Sequence, residues 1–122
     1  MAERDEVEGW VRTYFEATRS MDAARGAGCF AEGATLEDPV GSPLITTPEA
    51  VMERGVGFLA AFEEVGLHEE FIHVNGLEAV ARFTGRGLAG GQEVSFEGID
   101  FFRFNEDGKI VLLRGFFDPP RD

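Results

Sequence analysis

Cysteine occurs once in this chain of 122 residues, at Cys29, so neither an internal disulfide nor a multi-thiolate metal site can be built. That usage suits a reducing cytoplasm. Basic residues are scarce as well: 11 Lys and Arg face 23 Asp and Glu, and the formal charge of -12 repels phosphate backbones and anionic lipid surfaces. Nucleic acid and membrane surfaces are therefore poor partners, and neutral ones are favoured. No stretch approaches the roughly 20 apolar residues that a membrane span needs. Met1 to Gly9 is acidic and lacks the apolar core of a secretion signal, so the expectation is a soluble, cytoplasmic protein. There is no repeat, charge block or Pro/Ser tract to act as a linker, and residues 1–122 read as one domain. Aromatics with a polar handle are nearly missing too, with one Tyr and one Trp against twelve Phe. A Phe-rich interior suits a greasy ligand.

Apolar residues at Val7, Trp10, Val11, Tyr14, Phe15 and Thr18 repeat at helical spacing, which predicts an amphipathic helix from Asp5 to Met21 with Tyr14 on its inner face. Asp22 is a good N-cap for a second, short helix reaching about Phe30, weakened by Gly26 and Gly28. A strand is expected over Ala34 to Asp38. Pro39, Gly41 and Pro43 then open a loop, and Thr47-Pro48 starts a third helix that reaches about Phe62. From Leu67 onward, extended runs alternate with turn signals at Asn75-Gly76, Ala89-Gly90-Gly91 and Asn105-Glu106-Asp107-Gly108, the pattern of a four-stranded antiparallel meander. Helices first and sheet last make an α+β domain whose sheet buries one face against the helices. Glycines inside the strands, at 85, 87, 98 and 115, mark bends or the close approach of another group.

Two motif matches fail on context. Gly85-Arg86-Gly87-Leu88-Ala89-Gly90 fits a dinucleotide-binding pattern but leads from a strand into a hairpin, where no helix N-terminus can receive a pyrophosphate. His68 and His73 are five residues apart. A zinc-binding helix needs a spacing of four, and in a strand the odd spacing sends the two rings to opposite faces, so no metal site is expected.

Three residues could carry chemistry. Asp38 precedes Pro39, so the local backbone offers its carboxylate one N–H fewer; the plainer reading is a simple Asp-Pro turn. Asp100 is in phase with Val94, Phe96, Phe102 and Phe104, which puts it on an apolar face and favours its neutral form. If the opposite phase, with Ile99 and Phe101, were the buried one, Asp100 would be exposed, but Glu97 and Arg103 lie in that phase and speak against that arrangement. Tyr14 must find a hydrogen-bond partner for its hydroxyl, which a buried carbonyl could supply as well as a ligand.

Taken together, Val11-Arg12-Thr13-Tyr14, the segment Ala34 to Gly41 with its Glu37-Asp38-Pro39 core, Ile99-Asp100-Phe101-Phe102-Arg103-Phe104 and Asp107-Gly108-Lys109 resemble the bacterial ketosteroid isomerases in order and spacing. The resemblance implies the cone-shaped nuclear transport factor 2-like (cystatin-like) fold, in which helices pack into a curved, mainly antiparallel sheet, usually as a homodimer. It also implies a cofactor-free isomerisation of a small apolar 3-oxo-Δ5-steroid, with Asp38 as the base that moves the proton. Tyr14 and a protonated Asp100 would then form the oxyanion hole, the family being a standard case of a carboxylic acid kept neutral as a donor. By position, Phe83, Leu113 and Phe117 match pocket-lining places, and Val40, Ala81, Phe102 and Phe116 are expected to add apolar walls. Phe30 and Gly55 stand where close relatives carry tyrosines that support Tyr14, and Phe117 stands where some carry tryptophan. Two alternatives remain on the same scaffold: a non-catalytic lipophile-binding or dimerisation module, and an epoxide hydrolase or polyketide cyclase, which would want an arginine bridging two acids or a histidine in the pocket.

Overall fold

The computed structural model describes residues 2–117, so both ends of the expected 1–122 domain lie outside the described residues. Helix α1 spans Arg4–Thr18 and buries Val7, Val11 and Phe15 completely, which is the stripe that its apolar spacing demands. It stops three residues short of the expected Met21. The hydroxyls of Thr18 and Ser20 donate to the carbonyls of Phe15 and Ala17, both at 2.6 Å, and Met21 takes a positive φ of 58° that turns the chain. Asp22 then caps α2 (Ala23–Ala27), its side chain accepting from the amides of Ala24 and Arg25. This helix is shorter than expected, because after Gly28 the chain is already extended at Phe30.

The first strand, β1 (Phe30–Glu37), therefore starts four residues earlier than the sequence suggests and ends one residue before Asp38. Thr47 accepts from the amide of Ala50 at the start of α3 (Pro48–Ala60), as the Thr-Pro pair predicts. The remaining strands are β2 (Glu64–Asn75), β3 (Glu78–Ala89), β4 (Gln92–Phe104) and β5 (Ile110–Phe117). They form the expected antiparallel meander. The sheet order is β1-β5-β4-β3-β2, and β1 adds to β5 in parallel, a long-range pairing that local patterning cannot reveal.

One face of this sheet carries Ala81, Phe83, Phe96, Gly98, Asp100, Phe102, Leu113, Gly115 and Phe117, and α1 packs against it. Gly98 sits in register between Phe83 and Phe117, and a β-carbon there would lie 2.6 Å from that of Phe117 and 2.9 Å from the Phe83 ring. Its missing side chain lets those two rings meet edge to face at 6.5 Å. The opposite face exposes Phe71, Ile99 and Phe116.

Candidate active site

A cavity of about 110 Å³ opens between the three helices and the concave face of the sheet. Its walls are mostly apolar, including Phe30, Leu36, Phe58, Leu67, Phe83, Phe96 and Phe117, and its polar groups include Tyr14, Asp38, Arg54 and Asp100. Few polar groups in a greasy cleft are the usual make-up of a small-molecule site.

Asp100 comes from the middle of β4, where strand alternation turns it inward between Ala81 of β3 and Gly115 of β5. It is 3% exposed and is the one buried charged residue among those described. Burial first, and the nearby negative charge of Asp38 second, hold its carboxyl pKa well above the ordinary range, so the neutral acid is favoured.

Asp38 follows the last residue of β1. Parallel pairing sets Glu37 opposite Arg114, and the amide of Val40 donates to the carbonyl of Gly115 at 2.7 Å, which fastens the Asp38 segment beside β5. The Asp38–Pro39 peptide is cis. A β-carbon at position 115 would strike Asp38 Oδ1 and would come within 3.2 Å of Asp100 Oδ1. The two carboxyls thus converge on a space that only glycine leaves open. Asp38 Oδ1 is buried and has no hydrogen-bond partner. Burial raises the Asp38 pKa, while the guanidinium of Arg54, 4.0 Å from Oδ2, works in the other direction.

Tyr14 reaches the cavity from α1, its ring edge-on to Phe15 and Phe102 at 5.4 Å each and to Phe30 at 6.1 Å. Burial, followed by the charges of Asp100 and Asp38, pushes its phenol well above the ordinary value. The hydroxyl therefore keeps its proton and can donate it in a hydrogen bond. One carboxylate that can ionise, beside a neutral acid and a neutral phenol, is a set able to take a proton while two donors steady a developing oxyanion.

The expected pocket-lining residues fall into three groups. Phe83 and Phe117 line the cavity. Ala81, Phe102 and Leu113 lie in the closed core behind it, each at 0% exposure, with Phe102 supporting the Tyr14 ring and Leu113 paired beside Phe102. Val40 and Phe116 correct the expectation, since both lie outside the cavity. Val40 sits in the exposed loop after Asp38, and Phe116 points to the outer face, where its ring lies 5.4 Å from the Arg114 guanidinium. Alternation sends Phe116 to the face opposite Gly115 and Phe117. Sequence reasoning missed Arg54, Phe58 and Phe96. The first two were within reach, because Val51, Arg54, Gly55 and Phe58 share one face of α3 at helical spacing, and all four line the cavity. Phe30 and Gly55 line it as well, so no hydroxyl supports Tyr14 from either position.

The chain matches the SnoaL-like domain over residues 11–113, a span that includes Tyr14, Asp38 and Asp100. It belongs to the SnoaL-like family. A relative named steroid Delta-isomerase, from Nocardioides simplex, is 34% identical over 116 residues, covering 93% of this chain and 91% of the relative. Among solved structures, the epoxide hydrolase/cyclase-like enzyme SalBIII, which has a role in pyran ring formation in the polyether salinomycin, superposes with a TM-score of 0.86. That likeness covers 97% of this chain and 95% of SalBIII at 23% identity, and it supports the shared SnoaL-like fold.

Proposed function

We propose that this protein is a steroid delta-isomerase that converts 3-oxo-Δ5-steroids into their conjugated 3-oxo-Δ4 isomers. Support comes from the relative of that name and, above all, from two carboxyls of opposite tendency converging on Gly115 inside an apolar cavity. In this reading the ionised Asp38 takes a proton from carbon 4. The C–H electron pair becomes the carbon 3–carbon 4 double bond of a dienolate, and negative charge moves to the carbonyl oxygen. Tyr14 and protonated Asp100 donate hydrogen bonds to that oxygen. Asp38 then returns the proton to carbon 6, which leaves the carbon 4–carbon 5 double bond conjugated with the restored ketone. Protons and electrons balance within one substrate molecule, so the reaction needs no cofactor.

The test is direct. Purified protein mixed with a 3-oxo-Δ5-steroid is expected to generate the ultraviolet absorbance of the conjugated enone, and Asp38→Asn is expected to abolish most of that rate while still binding a phenolic steroid. An undiminished rate in the variant would remove Asp38 as the base. Absence of enone from the wild-type protein would favour a non-catalytic lipophile-binding module.

A second reading, an epoxide-opening cyclase, has one observation in its favour: Arg54 sits against Asp38. However, no ion pair among the described residues reaches Asp100, so the arginine serves one acid and does not bridge two. The isomerase reading also carries a homodimer, supported by the exposed outer-face row of Phe71, Ile99 and Phe116. A sedimentation mass of one chain would exclude it. A cytoplasmic location fits the single cysteine, and no described helix is long and apolar enough to cross a membrane.

A further inference from the structure

Arg54 is the one cation among the described residues that line the cavity. Its Nη2 donates to the carbonyl oxygen of Asp38 at 3.2 Å and lies 4.0 Å from Asp38 Oδ2. Its guanidinium rests over the Phe58 ring, 5.8 Å from the centroid, one helical turn further along α3. The rest of the Asp38 segment is fastened at its flanks, by the amide of Val40 to Gly115, by the amide of Gly41 to Glu37 Oε2 at 3.0 Å, by the amide of Ser42 to the carbonyl of Pro39 and by Arg114 to Glu37. We propose that Arg54 is a positioning residue for Asp38: seated on Phe58, it ties the Asp38 main chain to α3 and aims the carboxylate into the cavity. This inference deepens the isomerase reading and rests on Asp38 being its base.

The distances say how such an anchor would act. At 4.0 Å the guanidinium lies beyond hydrogen-bond length from Oδ2, so it attracts the carboxylate without occupying the lone pair that a substrate proton needs. The firm contact is with the backbone, which fixes position. The side chain of Asp38 is 19% exposed while Oδ1 is sealed against Gly115, so the accessible oxygen is the one on the Arg54 side. The other groups facing Asp38 are acids or neutral: Asp100 from β4 and Tyr14 from α1. Across the cavity, Asp22 has an oxygen engaged by the amides of α2, and on β5 Arg114 turns away to Glu37 at 2.9 Å. Arg54 therefore supplies an attraction that keeps the carboxylate turned one way and works against the effect of burial on its charged form.

Carboxyl carbon NMR gives a test that does not depend on turnover. The Asp38 signal, assigned by its loss in Asp38→Asn, is followed against pH in the wild type, Arg54→Met and Arg54→Lys. Loss of a cation at this range is expected to move the Asp38 midpoint up by about one pH unit in the Met variant, and Lys is expected to restore most of it. In the enone assay, Met is expected to lower kcat about tenfold with little change in KM, because position of the base is lost while apolar binding is kept. Lys, with charge but no planar fork, should recover the acid limb more fully than the rate. An Asp38 titration in Arg54→Met that superposes on the wild type overturns the proposal. If the wild type makes no enone, the isomerase reading fails on its own, and the NMR titration alone decides whether Arg54 governs Asp38.

Discussion

Replacing Asp100 by Asn should change how stability depends on pH, and the size of the change follows from where Asp100 sits. In the unfolded chain an aspartate titrates at about 3.9. In the fold, burial and the charge of Asp38 raise Asp100 well above that, so the native state holds a proton that the unfolded state releases. Stability from this group is fully present below the unfolded value and is lost as pH rises, until the native carboxyl itself ionises. The linkage slope for one proton is about 1.4 kcal/mol per pH unit. Each pH unit over which only the native state keeps the proton is therefore a sizeable share of the roughly 5–15 kcal/mol typical of a domain. Asparagine has nearly the same shape and does not ionise. Urea unfolding of both proteins over a pH series that starts near the unfolded aspartate value, at equal protein concentration, should show Asp100→Asn gaining on the wild type as pH rises, with m unchanged. A difference that stays constant with pH would refute the claim that Asp100 is held neutral, whatever its offset.

The remaining predictions concern turnover. The enone-forming rate should rise with pH through the Asp38 midpoint, because only the ionised base accepts a proton, and that limb should lie above the ordinary carboxylate value of 3.8 in a plot of kcat/KM against pH. Tyr14→Phe removes one oxyanion donor while the ring keeps its contacts with Phe15, Phe30 and Phe102, so kcat should drop by about 10²–10³ with thermal stability nearly unchanged. Gly115→Ala puts a methyl where Asp38 Oδ1 now sits. A displacement of the base by about 1 Å should lower kcat up to 100-fold in steady-state assays, and an unchanged rate would mean that the carboxylate tolerates another rotamer.

How far the site could be read in advance depends on the range of the interactions that build it. Asp100 was legible because one strand carries the answer: Phe96, Phe102 and Phe104 share its phase, while Glu97 and Arg103 share the other. The same alternation in β5 could have separated Phe117, which lines the cavity, from Phe116, which does not. Taking both as wall residues ignored the period of two. β1 was harder. Its start at Phe30 hides behind the helical signals of Asp22 to Ala27, and its parallel pairing with β5 joins segments about 80 residues apart, which no local pattern encodes. That pairing is what brings Asp38 to Gly115, so the meeting of the two acids could be inferred only by resemblance. Arg54 lay in plain view on the apolar stripe of α3. Arg103 and Arg114, by contrast, pair with Glu78 and Glu37 and do not line the cavity.

Asp38 and Asp100 are the same functional group in the same cavity, so the proposed separation into a base and a donor has to come from small differences in surroundings. Both are raised by burial, and each ionised neighbour would raise the other further. Two features break the symmetry. Asp38 keeps partial contact with solvent and has Arg54 at 4.0 Å, whereas Asp100 is 3% exposed with no ion pair reaching it among the described residues. If Arg54 were absent, drying the cavity with substrate would push both acids toward their neutral forms, and the proposed base would be lost when it is needed. Phe30 and Gly55 add to the same logic from the donor side. Without hydroxyls there, nothing spreads a negative charge off Tyr14, and the phenol stays protonated beside two carboxyls. An apolar wall that holds two donors neutral also opposes charge on the proposed base, and in this fold a single arginine on α3 offsets part of that opposition.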